Sequence, residues 1–472
     1  MLTKPEIDLT EIGTGSVTAP AGHGKTEVIA ASVAAHPKLR FLVLTHTNAG
    51  VASLRDRIAR YGATGYAHVE TISALALRLV RAFPVGIGWI ESKNKIDYAA
   101  AIAGAAAVVG RPTVLSAFAS TYDHLVVDEY QDCTRSHHAF IGHIARCIPT
   151  VVLGDPLQAI FSIDRADPLV PWGEVIKAYP SQGELSTPHR WTATNPVLGS
   201  WLQSIRDPLR TGVHPIRTDT NVVTHVRLDR PASQGGLYRL LSPGTSTVII
   251  VGNSAKNAVI PKIAQMHAKL GVSVHETAQQ NEVVSLCDAL AEPVNAATRL
   301  GATTDFLAGS ASGVKATAGF DTVMRNVKKS GSVGRSATPF ALAVRKFMDQ
   351  PIPAVLNNVI QCVLDAPGCR IYRGEQLAIV RKSLITASDW TDLPEAARQF
   401  IDQAGHVRHL RARPLEVGST LRVKGLEYDQ VILLDPSEVP SAEHLYVALT
   451  RARHRIILAT VPDQGLGKWF TG

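Results

Sequence analysis

The stretch Ala19-Pro20-Ala21-Gly22-His23-Gly24-Lys25-Thr26 follows the short run Ser16-Val17-Thr18 and opens onto Glu27-Val28-Ile29-Ala30-Ala31-Ser32-Val33. A strand-like segment, a glycine loop and an Ala/Val/Ile-rich helix stand in that order. A loop that binds phosphate needs glycines so that backbone N–H groups face the ligand, and it needs a helix N-terminus behind them. It also needs a lysine for the β and γ phosphates and a hydroxyl for Mg²⁺. Gly22, Gly24, Lys25 and Thr26 supply these parts, while Ala19 stands where the general pattern has glycine. The bland alternative is a glycine-containing turn before a helix. The octapeptide as a whole favours the phosphate loop. Ala21, Gly22, His23, Gly24, Lys25 and Thr26 are thus candidate nucleotide contacts, with Thr26 also a metal ligand.

Outward from the loop, short β-branched runs alternate with turns and helix-like segments. They are Phe41–Thr45, His124–Glu129, Thr150–Asp155, Thr247–Gly252, Gln430–Asp435 and Arg455–Thr460. Continuous apolar runs of this length suit parallel strands covered on both faces. Between them, Ala49–Tyr61 and Pro261–Leu270 carry helical apolar spacing. The alternation predicts an α/β, doubly wound architecture. Two strand ends carry acids. Asp128 follows Val126-Val127, where it can hold Mg²⁺ through water, and Glu129 next to it can serve as general base for the attacking water. Gly154-Asp155-Pro156-Leu157-Gln158 ends the next run; it fits a plain turn, or it places Gln158 as a sensor of the γ-phosphate.

Bulk properties narrow the class. The apolar share is 45% and the charged share 19%, the balance of a globular chain. No run of ~18 apolar residues is present, so no membrane partner is expected, and the first residues lack the apolar core of a signal peptide. A cytoplasmic location is the resulting expectation. Five cysteines are scattered without CxxC spacing, which predicts reduced thiols, not a zinc site. The net charge of +8 tilts the partners toward polyanions.

Further segments join these motifs in a fixed order. Thr45-His46-Thr47-Asn48-Ala49, Thr71-Ile72-Ser73-Ala74-Leu75-Ala76 and Pro188-His189-Arg190 are three of them. Val423-Lys424-Gly425-Leu426-Glu427-Tyr428-Asp429 and Tyr446-Val447-Ala448-Leu449-Thr450-Arg451-Ala452 complete the set. Together with the phosphate loop, Asp128-Glu129-Tyr130-Gln131-Asp132 and Gly154–Gln158, the series resembles the UvrD/Rep branch of superfamily 1 DNA helicases. The resemblance implies two RecA-like P-loop NTPase domains with ATP and Mg²⁺ between them. It implies Arg190 and Arg451 as arginine fingers beside Glu129 and Gln158, and Gly425 and Glu427 as further nucleotide contacts. It also implies DNA contacts at Thr45, Asn48, Thr71 and Phe161. On this reading residues 1–205 form the first RecA-like domain, with a short helical insertion at about 83–121. Residues 206–275 are a linker and the start of the second domain, 276–414 a reduced helical insertion, and 415–472 the remainder of the second domain.

The chain departs from the family in places. No glutamine precedes Ala19, so the motif that reads adenine is missing. Ile163 and Asp164 replace an aromatic residue and an arginine, Leu421 replaces a histidine, and His46 a phenylalanine. Base stacking contributes roughly 1–3 kcal/mol per base, so these losses touch the DNA track more than the nucleotide site. Arginine and lysine clusters, among them Arg206, Arg210, Arg217, Arg227 and Arg230, Arg325 to Lys346, and Arg408 to Lys424, read as solvated surface or as a polyanion groove. Two readings of function follow. One is an ATP-dependent translocase or helicase moving 3′ to 5′ on single-stranded or tailed DNA. The other is a nucleotide-switched DNA sensor that regulates a partner nuclease subunit, as in compact phage-defence proteins of the Gabija kind.

Overall fold

Strand residues that alternate between two apolar cores set the architecture of the first half. The computed structural model describes residues 6–83, 91–92, 95–161, 166–213, 215–228, 236–237, 239–241, 244–252, 260, 263, 272–275, 280–407, 415–460 and 466–471. It divides into two units: Met1–Ile216 with Ser441–His454, and Arg217–Pro440 with Arg455–Gly472.

In the first unit the strands are β1 (Gly15–Thr18), β2 (Phe41–Thr45), β3 (Ala67–Thr71), β4 (His124–Val127), β5 (Thr150–Gly154) and β6 (Ser181–Glu184). They form one sheet in the order β3-β2-β4-β5-β1-β6, and the pairs are parallel. Successive side chains of a strand face opposite sides. Accordingly Leu42, Leu44, Leu125, Val127 and Val152 enter one core, while Phe41, Val43, Val126, Val151 and Leu153 enter the other. Helices α1 (Lys25–Ala35) and α2 (Asn48–Arg60) cover the second face through Val28, Ile29, Val33, Leu54 and Ile58. Helices α3 (Ile72–Ala82), α4 (Tyr98–Val109), α5 (Pro112–Thr121) and α6 (Arg135–Ile144) cover the first.

The order brings three functional strand ends together. β4, β5 and β1 are neighbours, so Thr18, Val127 and Gly154 end side by side on one edge. Ligands of open α/β sheets bind at that carboxyl edge. The edge strand β6 is wholly exposed and carries none of the apolar residues by which the inner strands are recognised in sequence.

The second unit holds β7 (Val223–Arg227), β8 (Thr247–Val251), β9 (Ser273–His275), β10 (Leu415–Ser419), β11 (Tyr428–Leu434) and, from Arg455 onward, β12 (Ala452–Thr460). Their order is β7-β12-β11-β8-β10-β9, with parallel pairing along β8·β11, β8·β10, β9·β10 and β7·β12. Both sheets are RecA-like in their parallel strands. Between β9 and β10 the chain forms seven helices among the described residues: Gln280–Ala291, Ala296–Ala308, Phe320–Ser330, Pro339–Asp349, Pro353–Leu364, Gly374–Thr386 and Leu393–Val407. They bury a core of their own, including Phe320, Phe340, Phe347, Leu356 and Ile360. Most of the expected helix at Pro261–Leu270 lies outside the described residues.

The stretch Ser441–His454, which the sequence reading assigns to the second domain, groups by its contacts with the first unit. Trp191 Nε1 donates to the Ala452 carbonyl at 2.8 Å, and Asn195 Nδ2 donates to that of His454 at 2.7 Å.

Candidate nucleotide-hydrolysis site

β1 ends at Thr18, and the chain turns through residues 19–24 before α1 starts at Lys25. Gly22 (φ 74) and Gly24 (φ 78) hold left-handed backbone that other residues rarely adopt. Space enforces the same choice. A Cβ on Gly22 would lie 2.7 Å from Cζ3 of Trp191, and one on Gly24 would lie 2.8 Å from Cδ2 of His189. Helix α1 has no side-chain N-cap, which leaves its first-turn amides, behind Thr26, available to an anion. His23 is buried; its Nδ1 donates to the Ala21 carbonyl at 2.9 Å, which leaves Nε2 buried without a hydrogen-bond partner. Burial pushes the imidazole below its ordinary pKa.

Lys25 meets both acids of the β4 end. Its Nζ lies 3.1 Å from Asp128 Oδ1 and 2.6 Å from Glu129 Oε1. Burial opposes the ammonium charge, but the two carboxylates outweigh it and hold the lysine above its ordinary value. Burial raises the Asp128 carboxyl against the pull of Lys25. Glu129 has φ 56 and ψ 39, left-handed backbone for a residue with a side chain. Among the described non-glycine residues only Asp435 shares it, at the end of β11. Strain of this kind persists where surrounding structure imposes it. Here the Glu129 N–H donates to Asp128 Oδ1 at 2.9 Å, and Gln131 Nε2 donates to Glu129 Oε2.

Gln131 links this end to the next strand, because its Oε1 accepts the Asp155 N–H at 3.0 Å. Asp155 is fully buried, and its Oδ2 accepts Gln158 Nε2 at 3.0 Å. The amide of Gln158 therefore turns Oε1 toward Arg451, whose Nη2 stands 3.5 Å away. Arg451 is 2% exposed, and its Nε donates to the Val447 carbonyl at 3.0 Å. Arg190 sits against the phosphate loop: its N–H donates to the Gly22 carbonyl at 3.0 Å, and its Nη1 donates to the Thr450 carbonyl at 2.6 Å. The first unit thus gathers Lys25, Asp128, Glu129, Gln158, Arg190 and Arg451 on one edge.

Sequence reasoning missed two members. Gln131 enters only as part of a motif, without a role. Arg206 is grouped with surface cations, yet it is 8% exposed and pairs with Asp155 at 3.0 Å. Its partners lie 51 and 240 residues away in the chain, so no local pattern marks it.

The expected DNA residues occupy the same carboxyl edge. Thr45 and Thr71 are register partners at the ends of β2 and β3, and both are buried. The Thr71 hydroxyl caps α3 by accepting from Ala74 N at 3.0 Å, so an outside phosphate would meet mainly the backbone beside it. Asn48 opens α2, and Phe161 is half-buried just past Gln158. Ile163 and Asp164 lie outside the described residues. Gly425 (φ 84) and Glu427 are exposed in the second unit, on the turn before β11.

The loop and its surroundings fit a nucleotide with Mg²⁺. The fit rests on left-handed glycines that admit no side chain, an uncapped helix start, and hard oxygen donors at Thr26 and Asp128. Residues 9–164 match the AAA domain family, and residues 415–459 match the UvrD-like helicase C-terminal domain. No curated protein sequence matches the chain. Among solved structures the chain is similar to arterivirus nonstructural protein 10 (helicase). Bound to DNA, that protein shows 10% identity and a TM-score of 0.37, with 97% of this chain and 64% of that one covered. In a second structure of the same protein the values are 10% and 0.38, with 99% and 65% covered. The chain therefore spans just under two thirds of the length of these structures. The chain thus carries an AAA-type segment around the phosphate loop at residues 9–164 and, at residues 415–459, a segment similar to the UvrD-like helicase C-terminal domain.

Proposed function

We propose that the protein is a DNA-stimulated ATPase that translocates 3′ to 5′ on single-stranded DNA. The observation that carries this reading is the convergence of Lys25, Asp128 and Glu129 with the Gln158–Arg451 pair on one sheet edge. Lys25 and the amides of residues 22–26 bind the triphosphate. Mg²⁺, held by Thr26 and Asp128, supplies charge neutralisation on the phosphate oxygens. Glu129 orients the attacking water and takes its proton. Gln158 senses the terminal phosphoryl group, and Arg190 and Arg451 stabilise the charge that grows on it. Single-stranded DNA is the proposed partner, held along the carboxyl edge by Thr45, Asn48, Thr71, Phe161 and neighbouring backbone.

The test is ATP hydrolysis with and without single-stranded DNA, followed by strand displacement on duplexes tailed at either end. Stimulated hydrolysis with displacement only from the 3′-tailed duplex is the expected result. Stimulated hydrolysis without displacement would return the nucleotide-switched regulator of a nuclease. Absence of hydrolysis in the presence of DNA and Mg²⁺ would overturn both.

A further inference from the structure

Arg206 opens a short helix, Arg206–Thr211, and its guanidinium touches three groups of the first unit. Nη1 donates to Asp155 Oδ2 at 3.0 Å and Nη2 to Asp155 Oδ1 at 3.2 Å, a bidentate pair. Nη1 also donates to the Tyr446 hydroxyl at 2.6 Å, and Nε faces Glu184 Oε1 at 3.3 Å. One cation therefore joins the Asp155 turn, the edge strand β6 and the helix Ala442–Leu449 that leads into Arg451.

The chemistry of Asp155 gives this hub a direction. With Arg206 across both carboxylate oxygens, Asp155 stays an acceptor, and Oδ2 takes the NH₂ end of Gln158. An amide has one donor end and one acceptor end. Fixing the donor end on Asp155 leaves Oε1 facing Arg451. Without the guanidinium, Asp155 would be a buried carboxylate without a charged partner, and the constraint on the amide would be released. A lysine could keep the charge. It could not span two carboxylate oxygens and a phenol at once.

We propose that Arg206 is a positioning residue, which through Asp155 sets the orientation of the Gln158 amide and through Tyr446 ties it to the helix that leads into Arg451. The inference rests on the nucleotide-hydrolysing reading of this site. Its consequence is that the hydrolytic step depends on Arg206 while nucleotide binding does not.

The experiment is a double-mutant cycle on the full chain with Arg206→Lys, Gln158→Ala and the pair, measuring kcat, KM and the Kd of a fluorescent ATP analogue. Arg206→Lys is expected to lower kcat by about 10- to 100-fold while Kd moves less than about threefold. In the Gln158→Ala background the same change should have no further effect, because the group it positions is gone. Multiplicative losses in kcat, or an equal loss in Kd, would overturn the proposal and leave Arg206 a purely structural ion pair. Should Arg206→Lys fail to fold, Tyr446→Phe replaces it in the same cycle, removing one acceptor and keeping the ring. Wild-type protein without ATP hydrolysis would defeat the reading beneath the proposal. Hydrolysing wild-type protein with an unaffected variant would defeat the proposal alone.

Discussion

The ammonium nitrogen of Lys25 lies 2.6 Å from Oε1 of Glu129, closer than its 3.1 Å approach to Asp128. The residue that is to bind phosphate thus neutralises the two acids assigned to the metal and the water. Triphosphate offers Lys25 a competing set of oxygens. On the proposed reading the lysine would move to them, freeing Asp128 to hold the cation and Glu129 to act as base. Removing the lysine leaves two adjacent carboxylates, one of them buried, without a counter-charge. Lys25→Met should abolish hydrolysis and cost about 3 kcal/mol of stability at neutral pH. Adding Asp128→Asn should recover part of that loss, which urea denaturation of the two variants measures. Equal stability of the single and double variants would contradict the ion-pair account.

Glu129 joins chemistry to backbone strain. Its carboxylate is the proposed base, and loss of a positioned base costs about 10²- to 10⁴-fold in rate. Glu129→Gln should therefore lose hydrolysis and retain nucleotide binding. The backbone predicts something separate. At φ 56 an L-residue is strained and glycine is not. Glu129→Gly should be more stable than Glu129→Ala by about 1 kcal/mol, the reverse of the order found in ordinary helix or strand. Thermal melts of both variants without nucleotide decide it.

What the sequence discloses and hides at this site has a physical cause. The phosphate loop is legible from its own glycines, Lys25 and Thr26, whereas Asp128 and Gln158 are legible because each follows a continuous apolar run, and such runs mark buried strands. Phe41–Thr45 has the same bounds in the sequence reading and the structure, and Thr150–Asp155 runs one residue past the strand. Ser181–Glu184 is invisible for the opposite reason, being an exposed edge strand without an apolar residue. Arg206 misleads because a burial pattern never advertises a charge; its partners Asp155, Tyr446 and Glu184, all distant in the chain, make the position tolerable. Glu129 stands out in the sequence as an acid at a strand end, whereas its left-handed backbone is held by contacts from Asp128 and Gln131 that no propensity reports.

Glycines of the loop differ from a glycine of similar backbone elsewhere in the same unit. Gly62 has φ 71 and open space around a Cβ, so Gly62→Ala should cost only the conformational penalty, about 1 kcal/mol. Gly22 carries the same penalty and would also drive a methyl group to 2.7 Å from Trp191, whose indole is held at the Ala452 carbonyl. Gly22→Ala should lose at least about twice as much stability as Gly62→Ala and bind nucleotide poorly. Calorimetry of the two variants checks the difference, and equal melting temperatures would show that the indole yields.

Buried histidines set the acid limit of the fold. His23, His124, His137, His138 and His444 are each pushed below the ordinary value of 6.5, with burial the largest cause in every case. A lowered folded-state pKa means that the unfolded chain takes up the proton first as pH falls. Stability from these groups is therefore fully present above about pH 6.5 and declines below it, by up to about 1.4 kcal/mol per pH unit for each histidine. The lowered carboxylates Glu6 and Asp8 act in a lower window, beneath 4.5 and 3.8. His23 is the informative case, because burial, with Arg206 acting in the same sense, opposes its protonation and outweighs the Ala21 carbonyl, Asp155 and Glu6, which favour it. Its Nδ1–H bond to Ala21 holds the turn of the phosphate loop, so a proton on the buried Nε2 would disturb that turn. His23→Asn retains a side-chain donor and removes the titration. Between pH 5 and 6.5 the variant should show a shallower fall of unfolding free energy, and its nucleotide affinity should vary less with pH. Identical pH slopes for the two proteins would assign the acid sensitivity to the other four histidines.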